Sequence, residues 1–251
     1  NSLYINFDKT YKLIDYKYTN TGKINLSKFK LIKAIKSDIL EDIIEEITFS
    51  DLKINSLISS KNKKFSGSGK YSLDNLNFFE IKLENDLNDT LSKFDLNFDF
   101  GNPFKFEIIN YKKSEKSIAN ILLSLEKNNK NTIIKKLEIK EGKNLIKIDD
   151  AKFYKSNFLS FKNIKIFTLN NDFSINNNKK IIIKGSKFDA TNLIKLITNN
   201  GNRNYLKNVS GDIVIDFEKI KIPLSEKLNN FRLVGKIEKG KFIKISSKGD
   251  F

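Results

Sequence analysis

The side chains able to do acid–base or nucleophilic work in this 251-residue chain are almost all carboxylates and lysines, because cysteine and histidine are both absent. Without cysteine there is no thiolate nucleophile, no disulfide and no cysteine-based zinc site. Without histidine the commonest general base and the commonest transition-metal ligand are missing. The carboxylate pairs that stand out, Asp149-Asp150 and Glu45-Glu46, are adjacent in sequence. On a strand such neighbours point to opposite faces, and on a helix they lie about 100° apart, so neither pair converges on one substrate atom. There is no glycine-rich phosphate loop ending in Lys-Ser/Thr, no nucleophile elbow and no acidic calcium loop. A Schiff-base lysine needs a desolvated pocket or a cationic neighbour, and the sequence singles out none. These residues imply a binding or conduit protein that is not an enzyme, with no cofactor and no metal.

The formal charge of +16 raises the question of nucleic acid. Of 46 basic residues, however, only Arg203 and Arg232 are arginine, whereas base readout leans on the bidentate guanidinium fork. Lysine, asparagine, isoleucine and phenylalanine are enriched together, as an A+T-rich coding bias would produce at solvent-facing positions. The lysines therefore read as solvated surface, and no nucleic-acid partner is expected.

The elements that must position any site are strands. Lys93 to Phe100 alternates strictly, with Phe94, Leu96, Phe98 and Phe100 on one face and Lys93, Asp95, Asn97 and Asp99 on the other. After Gly101-Asn102-Pro103, the residues Phe104, Phe106 and Ile108 resume the alternation, which predicts a hairpin. Similar segments recur at Phe79, Ile81 and Leu83, at Ile213, Ile215 and Phe217, at Phe231, Leu233 and Ile237, and at Ile243 and Ile245. More than a dozen such segments predict a mainly β protein, one continuous unit over residues 1–251. Two segments read as short amphipathic helices. Ser27 to Ile47 carries Ile32, Ile35, Ile39, Ile43 and Ile47 at steps of three and four. Asp189 to Ile197 has Asp189 as a cap, with Ala190, Leu193, Ile194 and Ile197 as its stripe and Gly201 beyond it. Ser66-Gly67-Ser68-Gly69 and Asn176-Asn177-Asn178 read as hairpin loops. No run approaches the length of a membrane-spanning helix. The absence of Met and the strand-like end at Phe251 suggest a segment of a longer protein, so any anchor helix or export signal is expected upstream.

The C-terminal third carries a more specific pattern. Lys180-Ile181-Ile182-Ile183-Lys184-Gly185-Ser186-Lys187-Phe188-Asp189-Ala190 gives a strand, a glycine and an Asp-Ala helix start; Gly211 to Ile220 gives an alternating strand. Leu228-Asn229-Asn230-Phe231-Arg232-Leu233-Val234-Gly235 gives a strand reaching a glycine, and a last strand runs through Phe242 and Ile245. This order, over residues 160–251, resembles the AsmA-like envelope proteins of the YhdP and TamB type, bridge-like lipid transporters. The resemblance implies a long curved antiparallel sheet forming an open trough, the β-groove. It also implies movement of phospholipids between inner and outer membranes, acyl chains on the apolar face, and a place in the periplasm or cell envelope beside an inner-membrane anchor outside this segment. The lining residues expected on that reading are Phe94, Leu96, Phe98, Phe100, Ile213, Ile215, Phe217, Phe231, Leu233 and Ile237. Charged substitutions such as Phe98→Asp or Ile215→Asp are then expected to abolish lipid contact while the fold survives. The alternative is a β-sandwich or solenoid scaffold with no ligand.

Overall fold

The computed structural model describes residues 1–155, 157–193, 209–223 and 227–250. Its strands are β1 (Ser2–Phe7), β2 (Leu13–Ile35), β3 (Ile44–Ser59), β4 (Lys63–Ser72), β5 (Phe79–Leu87), β6 (Ser92–Phe100), β7 (Lys105–Phe106), β8 (Tyr111–Lys112) and β9 (Ala119–Lys127). They continue as β10 (Asn131–Glu141), β11 (Asn144–Tyr154), β12 (Asn157–Ser160), β13 (Asn163–Phe167), β14 (Asp172–Asn177), β15 (Ile181–Asp189), β16 (Gly211–Lys221), β17 (Lys227–Glu238) and β18 (Lys241–Asp250). Sixteen of them form one sheet that follows chain order from β1 to β18, with β12 paired to β11 and the β7–β8 ribbon standing apart. The sheet does not close into a barrel, and its path is the expected open, curved, mostly antiparallel trough. A single parallel pair, β15 with β16, interrupts the meander.

Two rims result. On one, short turns are closed by side chains that imitate a backbone carbonyl: Asp8 Oδ1 accepts from Thr10 N and Lys12 N, Asn88 Oδ1 from Thr90 N and Leu91 N, and Asn128 Oδ1 from Lys130 N and Asn131 N, all at 2.7–3.1 Å. The other rim carries the longer connections, above all residues 101–118 between β6 and β9. This strap contains β7, a 3-10 turn at Glu107–Ile109 and β8.

Three local expectations are corrected. Ser27 to Ile47 is not a helix; it belongs to β2 and β3, which pair Ser27 with Phe49, Phe29 with Ile47 and Ile35 with Ile44. The stripe that looked helical is solvent-facing, with Ile32, Ile35, Ile39 and Ile43 all exposed. β-branched side chains lose χ1 freedom in a helix and suit a strand, and here a long ladder supplies the backbone partners. Ser66 to Gly69 is the middle of β4, not a loop. A Cβ at Gly69 would lie 2.6 Å from Leu52 Cα, so glycine there lets β3 and β4 approach across a bulge marked by Asp51 at φ 52°. The segment at Phe104 to Ile108 does not return along β6, whose partner is β9; it turns inward as the strap. Of the Asp189 helix, only the start is described. Asp189 ends β15, its Oδ1 accepts from Thr191 N at 3.1 Å, and Leu193 N donates to Ala190 O at 3.0 Å. Residues 194–197 lie outside the described residues.

Candidate functional site: the apolar face of the sheet

Antiparallel register places directly opposed residues on the same face, so the pairings define rows across the strands. The middle row starts at Ile54 on β3 and runs through Gly67, Leu83, Leu96, Leu123, Leu137 and Ile148. It continues through Ile164, Ile175 and Ile183 to Ile215 and Leu233 on β17. Eleven of its twelve side chains are Leu or Ile, and the twelfth is glycine. The row nearest the strap holds Ile81, Phe98, Ile121, Ile139, Ile146 and Ile166, then Phe173, Gly185, Phe217 and Phe231. A third row, toward the turn rim, runs Phe65, Asn85, Phe94, Leu125, Ile134 and Ala151. The opposite face of the same strands carries Lys93, Asp95, Glu84 and Lys82. One face of the trough is therefore apolar across every strand of the path from β3 to β17, with Gly67 the one position in the middle row without an apolar side chain.

All ten expected lining residues lie on this face, in three different surroundings. Phe98, Phe100, Ile215, Phe217 and Phe231 belong to a core that the strap covers with Phe104, Ile109 and Tyr111. Phe98 meets the rings of Tyr71 and Phe100 edge-on at centroid distances of 6.0 and 6.2 Å. Phe173 and Phe217 meet at 5.6 Å above Gly185, where a Cβ would fall 2.2 Å from Asp172 O. Ile213, Leu233 and Ile237 pack with Ile181 and Val209 in a second cluster. Phe94 and Leu96 belong to neither and are half-buried, as are their row neighbours Phe65, Leu83, Leu123, Leu125 and Ile134. This last group is the open part of the apolar face.

Leu123, Leu125 and Ile134 were not among the expected lining. In β9, Leu122 sits between Ile121 and Leu123 and masks the period of two; in β10, a register shift between Ile134 and Lys136 breaks it. The alternation of Ile121, Leu123 and Leu125 was the available signal.

The strap is held by buried charge. Glu141, at the end of β10, accepts hydrogen bonds from Tyr111 Oη and Ser117 Oγ, from Ser114 N at 3.2 Å and from Asn144 Nδ2 at 3.0 Å. Burial pushes its carboxyl up, but these donors outweigh that effect and hold the pKa below the ordinary carboxylate value. Lys113 is fully buried and donates to Gly101 O at 2.5 Å and Ser114 O at 2.9 Å; burial pulls its ammonium below the ordinary lysine value, against the attraction of Glu141. At the far end, Asn171 Nδ2 donates to Ile109 O at 2.7 Å, and Asn110 Nδ2 to Asp189 Oδ2 at 3.1 Å. Leu40 bridges to Phe104 at the near end.

One polar atom interrupts the open rows. Asn85 stands between Phe65 and Phe94, and its Oδ1 is buried without a hydrogen-bond partner. A concavity of about 640 Å³ also exists on the polar face of β2 to β6, lined by Thr19, Asn55, Lys64, Glu84, Asp86 and Lys93. Lys64 and Asp86 pair there at 2.9 Å. The adjacent carboxylates are separated as their spacing requires: Asp149 pairs with Lys147 at 3.2 Å, whereas Asp150 pairs with Lys135. Among the described residues no group of three or more acidic side chains is placed to hold a metal ion, and no helix is long and apolar enough to cross a membrane. The chain matches no family model, and no curated protein or solved structure is similar to it.

Proposed function

We propose that this chain is a non-catalytic lipid-binding conduit of a cell envelope, which helps phospholipids pass between inner and outer membranes with their acyl chains on the apolar face of the trough. The observation that carries the reading is the half-buried patch around Leu83, Leu96, Phe94, Leu123 and Leu125, contiguous across β5, β6 and β9 and left uncovered by the strap. An apolar surface that spans neighbouring strands without a packed partner suits a hydrophobic ligand. Asn85 adds an acceptor beside that surface whose Oδ1 has no partner within the chain, and a buried unsatisfied acceptor calls for a partner from outside the fold.

The test uses the purified chain with a photoactivatable crosslinker at Phe94 or Leu96, challenged with phospholipid vesicles. Lipid adducts are expected at both positions, and Leu96→Asp should abolish them at the neighbouring Phe94 while the β-sheet circular dichroism persists. Phe98 and Ile215 are poorer probes than the alternation suggested, because each is packed into the strap-covered core. A chain that is folded but takes up no lipid, and carries none through purification, would instead be a scaffold whose apolar face is structural.

A further inference from the structure

The open rows of the apolar face end on a charged one. One step beyond Phe65, Asn85, Phe94, Leu125 and Ile134, at the turn rim, the register sets Lys63, Leu87, Ser92, Lys127 and Thr132 side by side on the same face of the sheet. Both lysines are exposed. Among the described residues neither ammonium is ion-paired, and the hydroxyls of Ser92 and Thr132 have no side-chain hydrogen-bond partner. The trough face of β4, β5, β6, β9 and β10 holds no carboxylate in any of its four rows. Asp86 and Glu126, the acids beside this row in the sequence, fall on the opposite face, where Asp86 pairs with Lys64 at 2.9 Å.

The strap closes the other end of the same strands, where Phe104, Ile109 and Tyr111 form the core against which Phe98 and Ile121 pack. An amphiphile whose chains lie on Leu83, Leu96 and Leu123 therefore carries its head toward the turn rim, onto the row of Lys63 and Lys127. Neighbouring rows are two residues apart, about 7 Å along a strand, so a head seated on this row leaves its chains on the open rows. The turns beyond reinforce the sign of the field: Lys61, Lys130, Lys179 and Lys180 stand there, against Asp8 and Asp89.

From this geometry we infer that the rim row is a headgroup site, and that the lipids taken by the trough are anionic phospholipids held by their phosphate between Lys63 and Lys127. The inference rests on the conduit reading and names its substrate class. The two lysines are three strands apart, about 14 Å across the sheet, and flank a head seated over Leu87 and Ser92. Their ammonium groups supply charge-assisted hydrogen bonds to phosphate oxygens, and the hydroxyls of Ser92 and Thr132 can donate to the oxygens left over. A zwitterionic head would also bring an ammonium group, for which this row has no carboxylate. An anionic head brings none.

The test uses the full chain with the photoactivatable crosslinker at Leu96 and vesicles of phosphatidylcholine and phosphatidylglycerol in equal parts. Phosphatidylglycerol adducts are expected to exceed phosphatidylcholine adducts by about tenfold. The double variant Lys63→Ala with Lys127→Ala should lose that preference, with phosphatidylcholine adducts and circular dichroism unchanged. The same two positions as arginine should keep it. Lys61→Ala with Lys130→Ala, which removes equal charge from the adjacent turns, should keep it too. Inorganic phosphate in large excess should not erase it, because phosphate alone gains nothing from the apolar rows. Equal adducts of the two lipids, a preference that survives loss of Lys63 and Lys127, one lost equally without Lys61 and Lys130, or one erased by phosphate would each overturn the headgroup site and leave the conduit reading standing. A folded chain with no adduct from either lipid would overturn both.

Discussion

The strap-covered row and the open rows on β5, β6 and β9 are built from the same residue types, yet they do different things. Ile139, Ile146, Ile166, Phe173 and Phe217 are each at most 7 % exposed, because Phe104, Ile109 and Tyr111 close over them. On β6 and β9, the next strands along the sheet path, Leu96, Leu123 and Leu125 keep part of their surface open. Composition does not separate the two rows; cover does. An apolar residue in a trough is core where a second element seals it and a binding surface where none does. The strap converts one into the other with an 18-residue insertion whose own polar groups are satisfied by Glu141, Asn171 and Asp189.

The contrast is broken most sharply from the sealed side. Phe217→Ala removes a side chain at 3 % exposure that touches the rings of Phe173 and Phe188. It should cost about 3–5 kcal/mol in chemical denaturation. Leu96→Ala on the open side should cost roughly 1–2 kcal/mol, because less surface is lost and no sealed cavity forms. Equal costs at the two positions would mean that the open row is sealed as well.

The strap's anchor comes next. Glu141→Gln replaces an acceptor of four hydrogen bonds with a group that can satisfy only part of them, and should destabilise by about 2 kcal/mol. Because the folded-state pKa of Glu141 lies below its unfolded value, its contribution is fully present above the ordinary carboxylate range and is lost as pH falls through the lowered folded value. Thermal unfolding followed from pH 7 downward, through about pH 4 and below, should therefore show a steeper decline for the unmodified chain than for the Gln variant. Parallel curves would remove Glu141 from the strap's stability.

Much of this was legible in the residues. Strict alternation in β6, β16 and β17 exposes the apolar face because both neighbours of each strand are themselves strands, so local period and tertiary environment agree. Ser27 to Ile47 failed for the opposite reason. Its isoleucines fall at helical steps by chance of spacing, and the decision rests with the β2–β3 ladder, which pairs opposite ends of the segment, Phe29 with Ile47 and Ser27 with Phe49, and which a period of three or four does not register. The strap was hidden in the same way. Phe104 and Phe106 alternate like a strand, and only the pairing of β6 with the distant β9 frees them to turn inward. Distinguishing sealed from open lining needed the position of that strap, which the alternation cannot encode.

Asn85 gives the smallest effect and the finest test. Its Oδ1 lies buried without a partner in a row with Phe65, Phe94 and Leu125, so the amide oxygen contributes no hydrogen bond to the fold. Replacing an unsatisfied polar group by an apolar one of similar size relieves its desolvation cost, and Asn85→Leu should stabilise the chain by up to about 1 kcal/mol. If the open row serves only the fold, that variant is simply a better protein. If the row holds lipid with the amide oxygen as a contact for a hydroxyl or ammonium group, the same variant is more stable while crosslinking less lipid at Phe94. Stability and uptake moving in opposite directions is the signature of a site retained against the interest of the core, and their moving together would assign Asn85 to the sheet alone.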